Sequence, residues 1–169
     1  MANVGQSLGR ASSIYLASPL GFTVPTRAYY EDVVLPLIRT RGLEPLDPWA
    51  APFDDMAVAL RLQDPDARRR SLGAANHRHG EYNARMIAEC SGVLAVLDGP
   101  DVDSGSASEI GSAAALGKPI VGWRSDLRLT GDNEAASVNL QVEYFVASTG
   151  GAVFRDLRDA LDALAVLVA

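Results

Sequence analysis

The chain has 169 residues, 48% of them hydrophobic and 21% charged, with a net charge of −6. That length and balance describe one soluble domain with a substantial core, and the acidic surplus disfavours a nucleic-acid polymer or an anionic membrane as the main partner. The single Cys90 cannot form an internal disulfide, no apolar run is long enough to span a bilayer, and residues 1–12 lack a signal-peptide pattern, so the expectation is a cytoplasmic protein.

Residues 1–12, rich in Gly, Ser and Ala, read as a flexible leader before a single domain over 13–169. Ile14 to Ala17 is a short strand stopped by Ser18-Pro19. The loop after it carries Gly21 and Phe22, with Thr23 or Thr26 placed to cap a helix. From Arg27 to Thr40 the apolar positions Tyr30, Val33, Val34, Leu37 and Ile38 recur at helical spacing. Pro36 falls inside that pattern and predicts a local kink or end. Leu43 to Leu46 is a weak second strand.

Asp47 to Asn76 resists assignment. Pro48, Trp49, Pro52 and Phe53 form a proline-stiffened aromatic loop, and Asp54 is placed to cap a helix reaching about Leu62. Trp49 and Phe53 offer either a stacking surface for a planar ring or a core contact. Arg68-Arg69-Arg70 is either a solvated face or an anion clamp. Asn76 to Cys90 is a helix whose apolar stripe is Tyr82, Met86 and Cys90, and Asn76, His79 and Asn83 share one flank of it. His79 is a surface residue on the bland reading and a functional one on the sharper reading.

Val93 to Leu97 is a buried strand that stops at Asp98, and Ile120 to Trp123 is another. Between them lies a loop of small and acidic residues and an Ala-rich helix from Ala107 to Leu116, closed by Gly117. Asp126 to Ala136 is polar and expected to be mobile. Val138 to Ser148 is a helix, Gly150-Gly151 breaks it, Ala152 to Phe154 is a fifth strand, and Arg155 to Val168 is a closing amphipathic helix. Alternation of strand and helix predicts a three-layer α/β (Rossmann-like) domain with a mostly parallel five-stranded sheet.

The acidic loop holds the chemistry. Asp98, Asp101, Asp103 and Glu109 crowd together where an open α/β sheet binds ligands. One reading makes Ser106 and Glu109 a capping box, with the aspartates as turn residues. The other makes the carboxylates a site for a neutral, hydroxyl-bearing ligand, since carboxylates accept hydrogen bonds from sugar hydroxyls. There is no GxGxxG or Walker pattern, and the acidic loop would repel phosphate. The spacing of Asp98, Asp101 and Asp103 is not that of an EF-hand, so no metal and no cofactor is expected.

Tyr15-Leu16-Ala17-Ser18-Pro19-Leu20, Leu97-Asp98-Gly99, the segment Asp103-Ser104-Gly105-Ser106-Ala107-Ser108-Glu109-Ile110-Gly111 and Gly117-Lys118-Pro119 together resemble the nucleoside 2-deoxyribosyltransferase family. The resemblance runs from the first strand to the segment Val138 to Phe145. It implies a flavodoxin-like fold and exchange of the base of a 2′-deoxynucleoside for a free nucleobase. Glu109 would be the nucleophile that forms a covalent deoxyribosyl ester, Asp103 would bind the sugar hydroxyls, and Tyr15 would contact the nucleophile. Phe22 would help cover the base, and Asn139 would reach a neighbouring subunit's site in a homo-oligomer; its bland alternative is a helix cap. Asp98, Gly105, Ser106 and Trp49 are further candidate substrate contacts. Asn83 stands where the well-known transferases carry an aspartate that exchanges a proton with the base. It can orient a base edge but supplies no proton, which leaves that task to water or to His79 one turn earlier. Two other outcomes stay open: an N-glycoside hydrolase using the same nucleophile, and a nucleoside-binding module without chemistry.

Overall fold

The computed structural model describes residues 11–169; residues 1–10, most of the expected leader, lie outside the described residues. At its start, Ser12 donates its hydroxyl to Val168 O at 2.9 Å, tying this end to the last helix. Five strands follow in the order β1 (Ser13–Ala17), β2 (Glu44–Leu46), β3 (Gly92–Val96), β4 (Ile120–Trp123) and β5 (Val153–Phe154). They pair in the order β2-β1-β3-β4-β5, every pair parallel, which is the flavodoxin-like order with its reversal between β1 and β3. Pro45 sits in the edge strand β2, where a missing N–H costs least.

Strand alternation divides the core into two layers. Ile14 and Leu16 face α2 (Leu35–Arg39), the turn that joins it to α1 (Val24–Tyr29), and α7 (Leu157–Leu167), packing with Val34, Ile38, Leu161 and Leu164. Tyr15 and Ala17 point the other way. There they meet α4 (Pro65–Glu89), α5 (Ser104–Ala115) and α6 (Leu140–Ser148) through Met86, Ile87, Ile110, Ala113 and Val142. This period of two is what sends the Tyr15 ring towards α5.

The helices begin where their caps allow. Thr23 caps α1, and a π turn over Tyr30–Val34 joins α1 to α2 directly before Pro36, whose missing N–H and bulky ring disfavour continuous α geometry. The expected helix from Arg27 is therefore longer at its start and wider in its middle. The larger correction concerns α4, which starts at Pro65 rather than Asn76. Asp64 accepts from the amides of Asp66 and Ala67 at 2.8 and 3.1 Å, and Pro65 fills the first helical position, where no N–H is needed. The basic run lies on this added portion, with Arg69 and Arg70 exposed and Arg68 donating to Leu62 O at 3.3 Å. The short helix α3 (Asp55–Leu60) packs back against α4.

The loop after β4 is held by Arg124, whose side chain is fully buried. Its guanidinium donates to Leu97 O, to Gly99 O at 3.3 Å, to Arg128 O at 2.9 Å and to Thr130 Oγ1 at 3.0 Å. The segment Asp126 to Ala136, expected to be mobile, is thus tied through Arg128 and Thr130 to a buried anchor just before it. Helix α6 starts at Leu140, two residues after the expected Val138, and Val138 itself is buried in the core. Among the described residues, no helix is long and apolar enough to cross a membrane.

Candidate active site

At the carboxyl edge of β1 and β3, the start of α5 faces the middle of α4 across a cavity of about 640 Å³. Asp103, not Ser106, caps α5: its Oδ2 accepts from Ser106 N at 3.0 Å and from Ser106 Oγ at 3.4 Å. The expected capping box is absent because the helix begins three residues earlier than that box requires. Glu109 therefore sits in the second turn, too far along to reach back to the cap, and its carboxylate turns to the cavity and to Tyr15.

Tyr15 Oη donates to Glu109 Oε1 at 2.6 Å, and Asn83 Nδ2 donates to the same oxygen at 3.5 Å. Burial is the largest influence on the Glu109 carboxyl and raises it; the Tyr15 hydrogen bond pulls it back, and the nearby negative charge of Asp103 adds to the rise. The net effect is a carboxyl pushed up to about 7. Burial, then the Glu109 charge and hydrogen bond, hold the Tyr15 phenol far above its ordinary range, so it remains a donor. The two groups form a donor–carboxylate pair at the base of the cavity. Gly105, which also lines the cavity, leaves room beside the cap: a Cβ there would lie 3.0 Å from Asp103 Oδ2.

The opposite wall comes from the stretch that sequence patterning left unassigned. Pro48, Trp49, Ala51, Phe53, Asp54, Met56 and Ala57 all line the cavity. A 3₁₀ turn over Pro48–Ala50 presents Trp49, whose backbone N–H donates to Asp47 Oδ1 at 2.9 Å while Tyr30 Oη donates to that same oxygen at 2.8 Å. The Trp49 ring lies directly on Gly21, where a Cβ would come within 2.2 Å of it, and meets Phe22 edge-on at 4.7 Å. Phe53 packs edge-on against His79 at 4.7 Å, and Arg78 lies 4.2 Å over the Phe53 ring. The result is an aromatic wall opposite a carboxylate wall, suited to a planar base joined to a hydroxylated ring.

The structure brings together Glu109, Asp103, Gly105, Ser106, Asn83, His79, Phe22 and Trp49 around one cavity, with Tyr15 behind Glu109. It does not bring in Asp98 or Asn139. Asp98 accepts from Ser125 Oγ at 2.7 Å and from Asp126 N at 2.8 Å, joining two loops outside the cavity. Asn139 is exposed and caps α6, its Oδ1 accepting from Gln141 N at 3.0 Å. Arg27 and Met56 line the cavity without having been singled out as site residues in the sequence, and no pattern there marked them; Ser18, which lines it too, stood in the quoted segment Tyr15 to Leu20 without a role. Among the described residues, no group of three or more His, Cys, Asp or Glu side chains could hold a metal ion.

Comparison with known proteins places this geometry in context. The family model described as nucleoside 2-deoxyribosyltransferase matches residues 14–143. A 2-desoxiribosyltransferase from Leishmania mexicana superposes with a TM-score of 0.61 at 22% identity, covering 92% of this chain and 97% of that one. A 2-deoxyribosyltransferase from Bacillus psychrosaccharolyticus gives 0.63 at 19% identity, covering 92% and 96%. A CMP N-glycosidase from Clostridium botulinum gives 0.53 at 17% identity, covering 91% and 98%. At these identities the likeness establishes a common fold. A search of curated protein sequences finds no match.

Proposed function

The chain belongs to the nucleoside 2-deoxyribosyltransferase family, and from that premise we propose that it moves a 2-deoxyribosyl group from one nucleobase to another through an ester on Glu109. The observation that carries the reading is the Glu109 carboxylate, half-buried at the cavity base with Tyr15 Oη 2.6 Å away and Asp103 beside it. Attack by Glu109 on the anomeric carbon makes one bond while the carbon–nitrogen bond breaks, its pair leaving with the base. The oxocarbenium-like transition state is positively charged, and an ionised carboxylate stabilises it before bonding to it. Asp103 holds the sugar by its hydroxyls. The aromatic wall of Phe22, Trp49 and Phe53 stacks on the base. A second base then attacks the carbon from the face the first one left, and Glu109 is released.

In this reading Asn139 serves another subunit. Its exposure outside its own chain's cavity supports a role in completing a neighbour's site in a homo-oligomer. No cofactor takes part, and the partners are a 2′-deoxynucleoside and a free base.

A hydrolytic outcome is the second reading, in which water replaces the incoming base. Phe22 at the cavity mouth is 68% exposed, which gives water a route to the ester in the single chain. One experiment separates the outcomes: incubation with 2′-deoxyadenosine, 2′-deoxyinosine or thymidine, with and without a second base, followed by chromatography. A new nucleoside supports transfer, free base with deoxyribose supports hydrolysis, and intact substrate in every case refutes both. Intact mass after exposure to a 2-fluoro-2-deoxyarabinosyl nucleoside tests the ester itself; an adduct absent from wild type, or present in Glu109→Ala, removes Glu109 from the role.

A further inference from the structure

Breaking a glycosidic carbon–nitrogen bond leaves an electron pair on the base, and an unprotonated base anion departs slowly. The side chains of the cavity wall that carry charge or titrate are Arg27, Asp54, His79, Asp103 and Glu109. Under the transfer reading Glu109 is occupied by the sugar carbon. Asp103 accepts hydrogen bonds from Ser106 and faces the sugar. Arg27 never gives up its proton and is paired with Glu31 at 2.8 Å. Asp54 is exposed, and exposed carboxylates are acceptors. Asn83, whose amide nitrogen is turned to Glu109 and whose Oδ1 is buried without a partner, has no proton to lose.

We propose that His79 is the general acid that protonates the departing base and the general base that receives the proton of the incoming one. This rests on the transfer reading above. The geometry fixes which nitrogen works. His79 Nδ1 lies 2.9 Å from Ala75 O, and a carbonyl can only accept, so Nδ1 carries a hydrogen and Nε2 is the exchangeable position. The ring is clamped edge-on by Phe53 at 4.7 Å, one helical turn before Asn83, which contacts Glu109.

The steps balance. As the glycosidic bond breaks, its pair moves to the base nitrogen, which takes the proton from Nε2 of the imidazolium; Glu109 bonds to the sugar carbon. In the return step the incoming base nitrogen attacks that carbon and loses its proton to Nε2. The ester pair returns to Glu109, and the imidazolium is restored. The charged groups around His79 are Arg78 on its own helix, Asp54 and Asp55 at the start of α3, Asp103 and Glu109 on α5, and Arg27 on α1, with Arg78 neutralised by Asp55 at 2.8 Å.

The test compares 2′-deoxyinosine with N7-methyl-2′-deoxyguanosine, whose base leaves neutral without a proton. His79→Asn keeps a donor for Ala75 O but lacks Nε2. It should lose about 100-fold in kcat/KM on 2′-deoxyinosine. The loss on the methylated nucleoside should be far smaller, and the alkaline fall of the wild-type pH profile should disappear. His79→Gln, checked for folding by circular dichroism, repeats the comparison. Equal losses on both nucleosides, or no loss on 2′-deoxyinosine, overturn the role of His79 while leaving transfer intact. If wild type refuses the methylated nucleoside, an alkaline limb that survives in both variants overturns it. Wild type inactive on every nucleoside overturns the transfer reading and this one with it.

Discussion

Tyr15 and Glu109 stand 94 positions apart in sequence, and their oxygens meet at 2.6 Å. The hydroxyl comes from an interior strand of the sheet and the carboxylate from a helix laid across it. The pairing depends on β1 turning its odd-numbered side chains towards α5.

Tyr15→Phe removes the donor and little volume. With a charged acceptor such a bond is worth about 1.5–3 kcal/mol, so kcat/KM should fall roughly 10- to 100-fold. The Tyr15 bond lowers the Glu109 carboxyl, so its loss should also carry the acid limb of the pH–rate profile above its wild-type position near pH 7. Steady-state rates between pH 5 and 9 check both; an unmoved limb contradicts the pairing.

Asp103→Asn should move that limb the opposite way. Burial aside, Asp103 raises Glu109, and a neutral amide there releases that influence while still capping α5. Activity should nonetheless drop about 10- to 100-fold through loss of a charged acceptor for the sugar. A limb that stays in place would show that the two carboxylates do not sense each other.

Glu109→Gln should be inactive yet more stable. A carboxyl raised from 4.5 to about 7 on folding binds more protons in the native state, so wild-type stability declines as pH climbs through that interval. The neutral amide escapes the decline. At pH 8 the variant should exceed wild type by about 1–3 kcal/mol, and the gap should close near pH 4.5. Urea unfolding at the two pH values measures it.

Gly21→Ala should disturb the aromatic wall from outside the cavity. The new methyl would overlap the Trp49 ring, a clash that typically costs about 1–3 kcal/mol. Weaker nucleoside binding and a shifted Trp49 fluorescence maximum should accompany it, with the Tyr15–Glu109 pair undisturbed. An unchanged KM would place Trp49 outside the binding surface.

Subunit complementation addresses Asn139. Glu109→Gln and Asn139→Ala should each be nearly inactive alone. Mixed and reassembled, they should recover activity, because some sites then pair an intact Glu109 with an intact neighbouring Asn139. Full activity of Asn139→Ala on its own would reduce that residue to the cap it forms on α6, worth about 1 kcal/mol.

What could be read beforehand follows from where the signals come from. Val93 to Leu97 is uniformly apolar and falls in a strand buried on both faces; Ile14 to Ala17 and Ile120 to Trp123 share that signature. The first turns of α4 carried no such mark. Pro65 to Arg70 is polar all round, leaving only the Asp64-Pro65 cap to announce the helix. The acidic loop offered two caps without showing which is used: Asp103 and Ser106 are both good caps, and only the start of α5 decides between them. Asp98 looked like its neighbours, yet it sits on the far side of the loop, bound to Ser125 and Asp126. Arg124 gave no signal at all, because a lone arginine after a strand looks like any surface charge until four oxygens surround it.

The cavity has two owners. Tyr15, Asp103 and Glu109 hang on the sheet and on the helix packed across it, whereas Trp49, Phe53 and Met56 belong to a side arm that leaves β2 and returns along α4. Under the transfer reading the front of that arm supplies contacts to the base alone, so segment swaps over 47–52, which leave Phe53 against His79, offer a route to new base preferences.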